Sequence, residues 1–308
     1  RLAISARRLP LTCMQRALRL GLAAVLVAVG SAGSAPALVI NNGLAPPDPA
    51  NVVDASDGLT GTDSVYVLNT GCSPPIAPLG GTTCVAPLGA PTAAEVASGV
   101  AFDTLWVGGT STASVQPGAQ LYAVTALDAA TVTVNATVGE ASARGSSTLV
   151  FAGFTHRGVS AGESAHVELR GTAAGGVSVS GDASLHVTGG RGWDDVGITV
   201  RDQAYFDMSG GEHFRRITLR STTPATLRGG TIKNIFGAES QLEWWGGVIP
   251  ISAMLDVSGI VRIFGSDFRL NGVPVGFGSY STATPNPITQ IQGTLESGET
   301  FSAPFRTR

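Results

Sequence analysis

The chain has 308 residues, with 41 glycines, 43% hydrophobic residues, 6% aromatics and only 13% charged residues. So few charges exclude a coiled coil and a highly charged disordered chain. A single lysine, Lys233, and the lack of a basic run beyond the N-terminal segment exclude a nucleic-acid interface as the organising function. Small residues together with Val, Thr, Ile and Leu are the composition of β-structure with many tight turns.

From Met14 the chain reads MQRALRLGLAAVLVAVGSAGSAPA. Arg16 and Arg19 precede an apolar run, and Ala35-Pro36-Ala37 supplies a small-x-small cleavage pattern. Residues 1–37 are therefore expected to be a signal peptide, with the true start at Met14 and cleavage after Ala37. The apolar run is shorter than the roughly 20 residues of a membrane-spanning helix. The mature chain is expected to be secreted, at the cell surface or in the periplasm, without a transmembrane segment. Removing the segment takes away five arginines and leaves 14 basic against 22 acidic residues, a formal charge of −8 that disfavours anionic partners.

Residues 38–91 read as an irregular N-terminal cap with one short strand, SVYVLN at 64–69. Cys72 and Cys84 lie in its Pro- and Gly-rich part, and an even pair in an exported chain is expected to form a disulfide.

A repeat then runs over 92–268. The unit apolar-x-apolar-x-Gly recurs as LVFAG at 149–153, VELRG at 167–171, LHVTG at 185–189 and FDMSG at 206–210, among others. Its second apolar residue falls at 96, 115, 134, 151, 169, 187, 208, 227, 244 and 263, with spacings of 17 to 21. A second alternation follows in each unit, such as ITV at 198–200. Period-two alternation means a strand with one buried face. A unit this short cannot bury that face alone, whereas stacked copies can.

The expected fold is all-β: a single-stranded parallel β-helix, or β-solenoid, of about ten rungs of 17–21 residues with caps at both ends. Gly-Gly pairs at 189–190, 210–211, 229–230 and 246–247 mark a corner. Left-handed solenoids keep a strict six-residue count, which this spacing breaks, so the coil is expected to be right-handed. The long 187–208 rung is expected to bulge, and residues 269–308 to form a C-terminal cap over the last open edge.

Stacking places equivalent residues about 4.8 Å apart. One outward column then carries Glu168, His186, Asp207 and Glu243, and its neighbour carries Arg170, Arg228 and Trp245. Carboxylates beside a histidine and an arginine are parts of acid–base sugar chemistry, and an exposed aromatic suits a sugar ring. A solvated solenoid face of mixed charge is the plainer account. Gly189-Gly190-Arg191-Gly192-Trp193-Asp194-Asp195-Val196 matches the calcium nonapeptide once, which makes Asp194 and Asp195 candidate calcium ligands, although such sites need tandem copies. No other cofactor is expected. The histidines at 156, 166, 186 and 213 have no zinc spacing.

These rungs resemble the architecture of the pectin-lyase-like right-handed β-helix superfamily. The apolar-x-Gly-Gly corners and the closing segments IFGSDFRLNGVPVGFG and GTLESG resemble a group of uncharacterised exported bacterial β-solenoid repeat proteins. That resemblance spans about 92–308 and implies fold and export. Enzymes of the superfamily cluster several acids, which Asp194-Asp195 and Glu212-His213 echo only loosely. The reading is thus an exported, non-catalytic solenoid offering an extracellular structural or carbohydrate-binding surface, with a polysaccharide or a surface protein as partner. The alternatives are a polysaccharide lyase or glycoside hydrolase using Glu168, His186, Asp207 and Arg228, and a passive scaffold for another protein.

Overall fold

Each apolar-x-apolar unit is a strand of four residues or fewer, too short to hold a sheet except by stacking on its own copies. A computed structural model describes residues 37–41, 52–68, 92–192, 197–212, 214–237, 240–249, 255–257, 259–276 and 289–306. The expected signal peptide up to residue 36, Cys72 and Cys84 lie outside the described residues, as do Asp194, Asp195, His213 and the tip of the long 187–208 rung.

The described chain is an all-β parallel solenoid of about eight turns. A sheet of 11 short strands faces a sheet of 16, and the chain alternates between them. The register is the one the repeat dictates. Val96 pairs with Val115, Val115 with Val134, Val134 with Phe151 and Phe151 with Leu169. The column continues through Val187, Met208, Leu227 and Trp244 to Ile263. Stacked pairing begins even before the repeat, where Val53 pairs with Val96 and Ser64–Leu68 runs parallel to Ala101–Val107.

This column is the core. From Val96 to Trp244 its side chains are buried, with valine at 96, 115, 134 and 187 and the larger Phe151, Met208 and Trp244 in other layers. The cross-section changes along the axis as well. Beyond residue 172 a third wall appears as isolated bridges, Ala173 to Gly192 and Phe214 to Ile232, with Ala173, Phe214 and Ile232 turned inward and buried.

Two kinds of corner let the chain turn. At the Gly-Gly corner the second glycine takes a positive φ, 80° at Gly190 and 92° at Gly211. A Cβ on Gly190 would stand 1.8 Å from the Gly171 carbonyl oxygen of the turn below, so a side chain is excluded by space as well as by φ. At the opposite corner small buried residues stack, including Ser111, Ala130, Ser147, Ala165, Ala183 and Ala204. Ser147 Oγ donates to the Ala126 carbonyl at 3.2 Å, satisfying its buried hydroxyl within the turn stack.

The C-terminal part leaves the parallel rule. Thr300–Arg306 lies parallel to Leu255–Val257, then pairs antiparallel with Thr289–Leu295, which pairs antiparallel with Gly265–Leu270. Leu295, Phe301 and Ala303 from this unit are buried, and the Phe301 ring centroid lies 4.6 Å from that of Trp244. The Trp244 indole N–H donates to the Gly246 carbonyl at 3.0 Å, so its polar atom is satisfied inside the core.

Phe151 sits at the middle of the column with no exposed surface. Phe151→Ala removes a ring that stacked neighbours cannot replace, and it is expected to cost about 3–5 kcal/mol. Urea unfolding followed by circular dichroism checks this.

Candidate functional site

Alternation on the short-stranded sheet turns Glu168, His186, Asp207 and Glu243 outward. Backbone pairing sets Glu168 beside His186, His186 beside Asp207, and Glu243 beside Arg262, in the column read from the sequence. Thr226 separates Asp207 from Glu243. The structure thus places the candidates in line. Glu168 and Asp207 are two strands apart, roughly 9.6 Å along the axis.

Local pairing decides their chemistry. Arg170, two residues along the strand, grips Glu168 with two hydrogen bonds, Nε to Oε1 at 2.7 Å and Nη2 to Oε2 at 2.8 Å. Thr188 Oγ1 donates to the same carboxylate at 3.1 Å. The Arg170 hydrogen bonds hold the Glu168 carboxyl below the usual carboxylate range; burial opposes them, and the Thr188 hydrogen bond and the Arg170 charge add to the lowering. Asp207 accepts from Arg228 Nε at 3.2 Å, while His186 Nδ1 lies 3.7 Å away, too far for a hydrogen bond. Arg262 Nη1 stands 3.7 Å from Glu243. Glu168, Asp207 and Glu243 therefore each face an arginine.

A histidine–tyrosine strip runs alongside. The ring of His186 lies 4.9 Å from that of His166 and 5.5 Å from that of Tyr205. Burial and the neighbouring His186 lower the His166 pKa, and Glu168 opposes them weakly.

Trp245 faces outward beyond Arg228, half-buried. Its ring stacks on Phe264 at 3.6 Å with 5° between planes, and the Arg228 guanidinium lies 5.8 Å from its centroid. Its Nε1–H is shielded from solvent without an acceptor among the described residues. The exposed aromatic platform expected from the sequence is thus one member of an Arg228–Trp245–Phe264 stack.

A second set of acids escaped the sequence analysis. At the corner leading into six successive short strands, from Thr112–Val115 to Tyr205–Met208, one residue per turn has a positive φ: Gly109, Asp128, Gly145, Glu163, Gly181 and Asp202. Glycine and acid alternate. Each acid reaches back one turn and accepts from the amide of the glycine beneath it, at 3.0 Å for Asp128 to Gly109, 2.9 Å for Glu163 to Gly145 and 3.0 Å for Asp202 to Gly181. The sequence carries the signal at 17- to 21-residue spacing, but with acids in alternate turns it does not read as a glycine repeat. These acids cap turns.

Among the described residues no group of three or more His, Cys, Asp or Glu side chains comes together in a metal-holding arrangement. No helix of the described residues is long and apolar enough to cross a membrane. A cavity of about 350 Å³ lies on the long-stranded sheet, lined by Gly197, Arg215, Arg216, Asn234 and Phe236, none of which the sequence had marked as a site. No family model, curated protein or solved structure matches the chain.

Both pKa shifts make acid destabilising. Glu168 titrates lower folded than unfolded, so its contribution is present above the ordinary carboxylate pKa of 4.5 and is lost as pH falls through the folded value. His166 is also lowered, so the unfolded chain takes up its proton first, and stability falls as pH drops below about 6.5. The melting temperature is expected to fall between pH 7 and pH 4, with the upper part of that fall reduced in His166→Asn. In the turn ladder, Asp202→Gly loses one hydrogen bond but relieves a left-handed conformation, two effects of opposite sign and about 1 kcal/mol each. Its urea midpoint should stay near that of the parent, whereas Asp202→Val should lose about 1–3 kcal/mol.

Proposed function

We propose that the protein is an exported, non-catalytic β-solenoid that serves as an extracellular structural or carbohydrate-binding surface. The observation that carries this reading is the ion-pair ladder on the short-stranded sheet. Glu168 is held by Arg170, Asp207 by Arg228 and Glu243 faces Arg262, so the face offers carboxylates already matched within the molecule.

Sugar hydrolysis needs one carboxyl protonated near neutral pH, which requires a raised pKa. Glu168 is displaced the other way by its bidentate arginine. Lyase chemistry needs a base free to take a proton, and Arg228 in contact with Asp207 works against that role too. In the structural role some of these contacts act between turns: Arg228 ties its turn to that of Asp207, and Thr188 hydrogen-bonds across to Glu168, while Arg170 braces Glu168 within its own turn. Such exposed pairs contribute little singly. Repeated along the axis, they set which charge may lie above which.

The full chain incubated with neutral and acidic polysaccharides, with and without calcium, is expected to release no new chain ends. Asp207→Ala is expected to lower the melting temperature slightly through loss of the Arg228 bond. Release of new ends by the parent, abolished in Asp207→Ala, would replace this reading with the lyase or hydrolase.

A further inference from the structure

On the long-stranded sheet, three exposed arginines on adjacent strands have no acid matched to them among the described residues. Gly197–Asp202 and Arg216–Ser221 are adjacent parallel strands whose outward residues pair Gly197 with Arg216, Thr199 with Thr218 and Arg201 with Arg220. Arg201, Arg216 and Arg220 are exposed, and none has an ion-pair partner among the described residues. Like charges directly opposite one another in a sheet are destabilising. The chain carries 22 acidic residues, yet the neighbouring Asp202 directs its carboxylate to the Gly181 amide instead.

The glycines beside this array give a second, independent sign. Gly158 pairs with Gly176, and Gly176 stands in line with Gly197, directly before the pair Val177 to Ile198. Gly158 is required by the fold, with φ 125° and a Cβ position 1.9 Å from the Gly176 carbonyl oxygen. Gly176 and Gly197 are not. Neither has a positive φ, and among the described residues a Cβ there would meet nothing closer than 3.9 Å and 3.5 Å respectively. Glycine inside a strand weakens it and often marks the close approach of a ligand or another backbone. The missing side chains leave a backbone-floored trough that leads to the cavity of about 350 Å³ at Arg216 and Phe236; the file Ser178, Thr199 and Thr218 borders it on one side, with Arg201 and Arg220 on the far side of that file. The Arg216 guanidinium lies 5.7 Å from the Phe236 ring centroid, a contact that orients its donor edge.

We infer that this trough binds an anionic glycan, with Arg216 and Arg220 taking its carboxylate or sulfate groups and the Thr199 and Thr218 hydroxyls meeting its ring hydroxyls. Arginine matches a planar or tetrahedral oxyanion with paired N–H donors, and the file of hydroxyls fits an extended polar chain better than an isolated ion. The site is separate from the ion-pair ladder. It rests on the proposed function only in taking an extracellular sugar as ligand.

The test is isothermal titration of the full chain with carboxylated, sulfated and neutral oligosaccharides of equal length, at low and physiological salt. Binding of an anionic oligosaccharide is expected, weakened by salt, with the tighter of the two identifying the preferred oxyanion. Arg216→Gln and Gly197→Leu should each weaken it at least tenfold, and Arg269→Gln, exposed on the C-terminal antiparallel unit, should leave it unchanged. Circular dichroism melts confirm that each variant is folded, and Arg220→Gln replaces any that is not. Equal binding of the neutral oligosaccharide, unchanged affinity in the trough variants, or uptake of a single-stranded DNA oligomer but neither anionic sugar would overturn the assignment. The absence of new chain ends is read separately, so either proposal can fail alone.

Discussion

A chain wound into stacked parallel strands can hydrogen-bond only to the turns directly above and below. Residues in register therefore tend to share a backbone conformation. That tendency shows at one corner. Six successive turns have a left-handed residue at the same place, and the column from Gly109 to Asp202 fills it with glycine and acid in alternation. The alternation has its own logic: a carboxylate in one turn caps the free amide of the glycine below, a bond that two glycines in succession cannot make.

The same stacking governs the outward faces. Charges recur at the strand spacing of about 4.8 Å, close enough that like charges repel and unlike charges pair. The short-stranded sheet satisfies this with arginines set against Glu168, Asp207 and Glu243. The long-stranded sheet breaks it at Arg201 and Arg220, which pair directly across two strands. The two faces of the molecule thus differ in how their charges are matched across neighbouring turns.

Inside, stacking makes each side chain a layer. Valine fills the layers at 96, 115, 134 and 187, larger side chains fill those at Phe151, Met208 and Trp244, and Phe214 and Ile232 add buried side chains from a third wall. The layer at Trp244 is finished by Phe301 from a strand that returns from the far end of the chain. The antiparallel unit thus contributes packing to the last layers as well as backbone pairing to Leu255–Val257.

The sequence by itself determined the solenoid and its register. Ten apolar positions, from Val96 to Ile263, could be aligned by counting, because the period of a stacked coil is the period of its sequence. Which residues face outward followed from period-two alternation, and Trp245 was correctly set apart from its buried neighbour Trp244. Partner choice lay beyond the sequence. Glu168 had Arg170, His186 and Thr188 within reach, and side-chain geometry selected Arg170 and Thr188. The aromatic stack that covers Trp245 and the acid-to-amide caps were equally hidden, since both depend on distances between turns and not on spacing along the chain. The trough required the tertiary structure most of all. Only the packed turns show that Gly197 has room for a side chain it does not carry, because that room is set by the strand next to it.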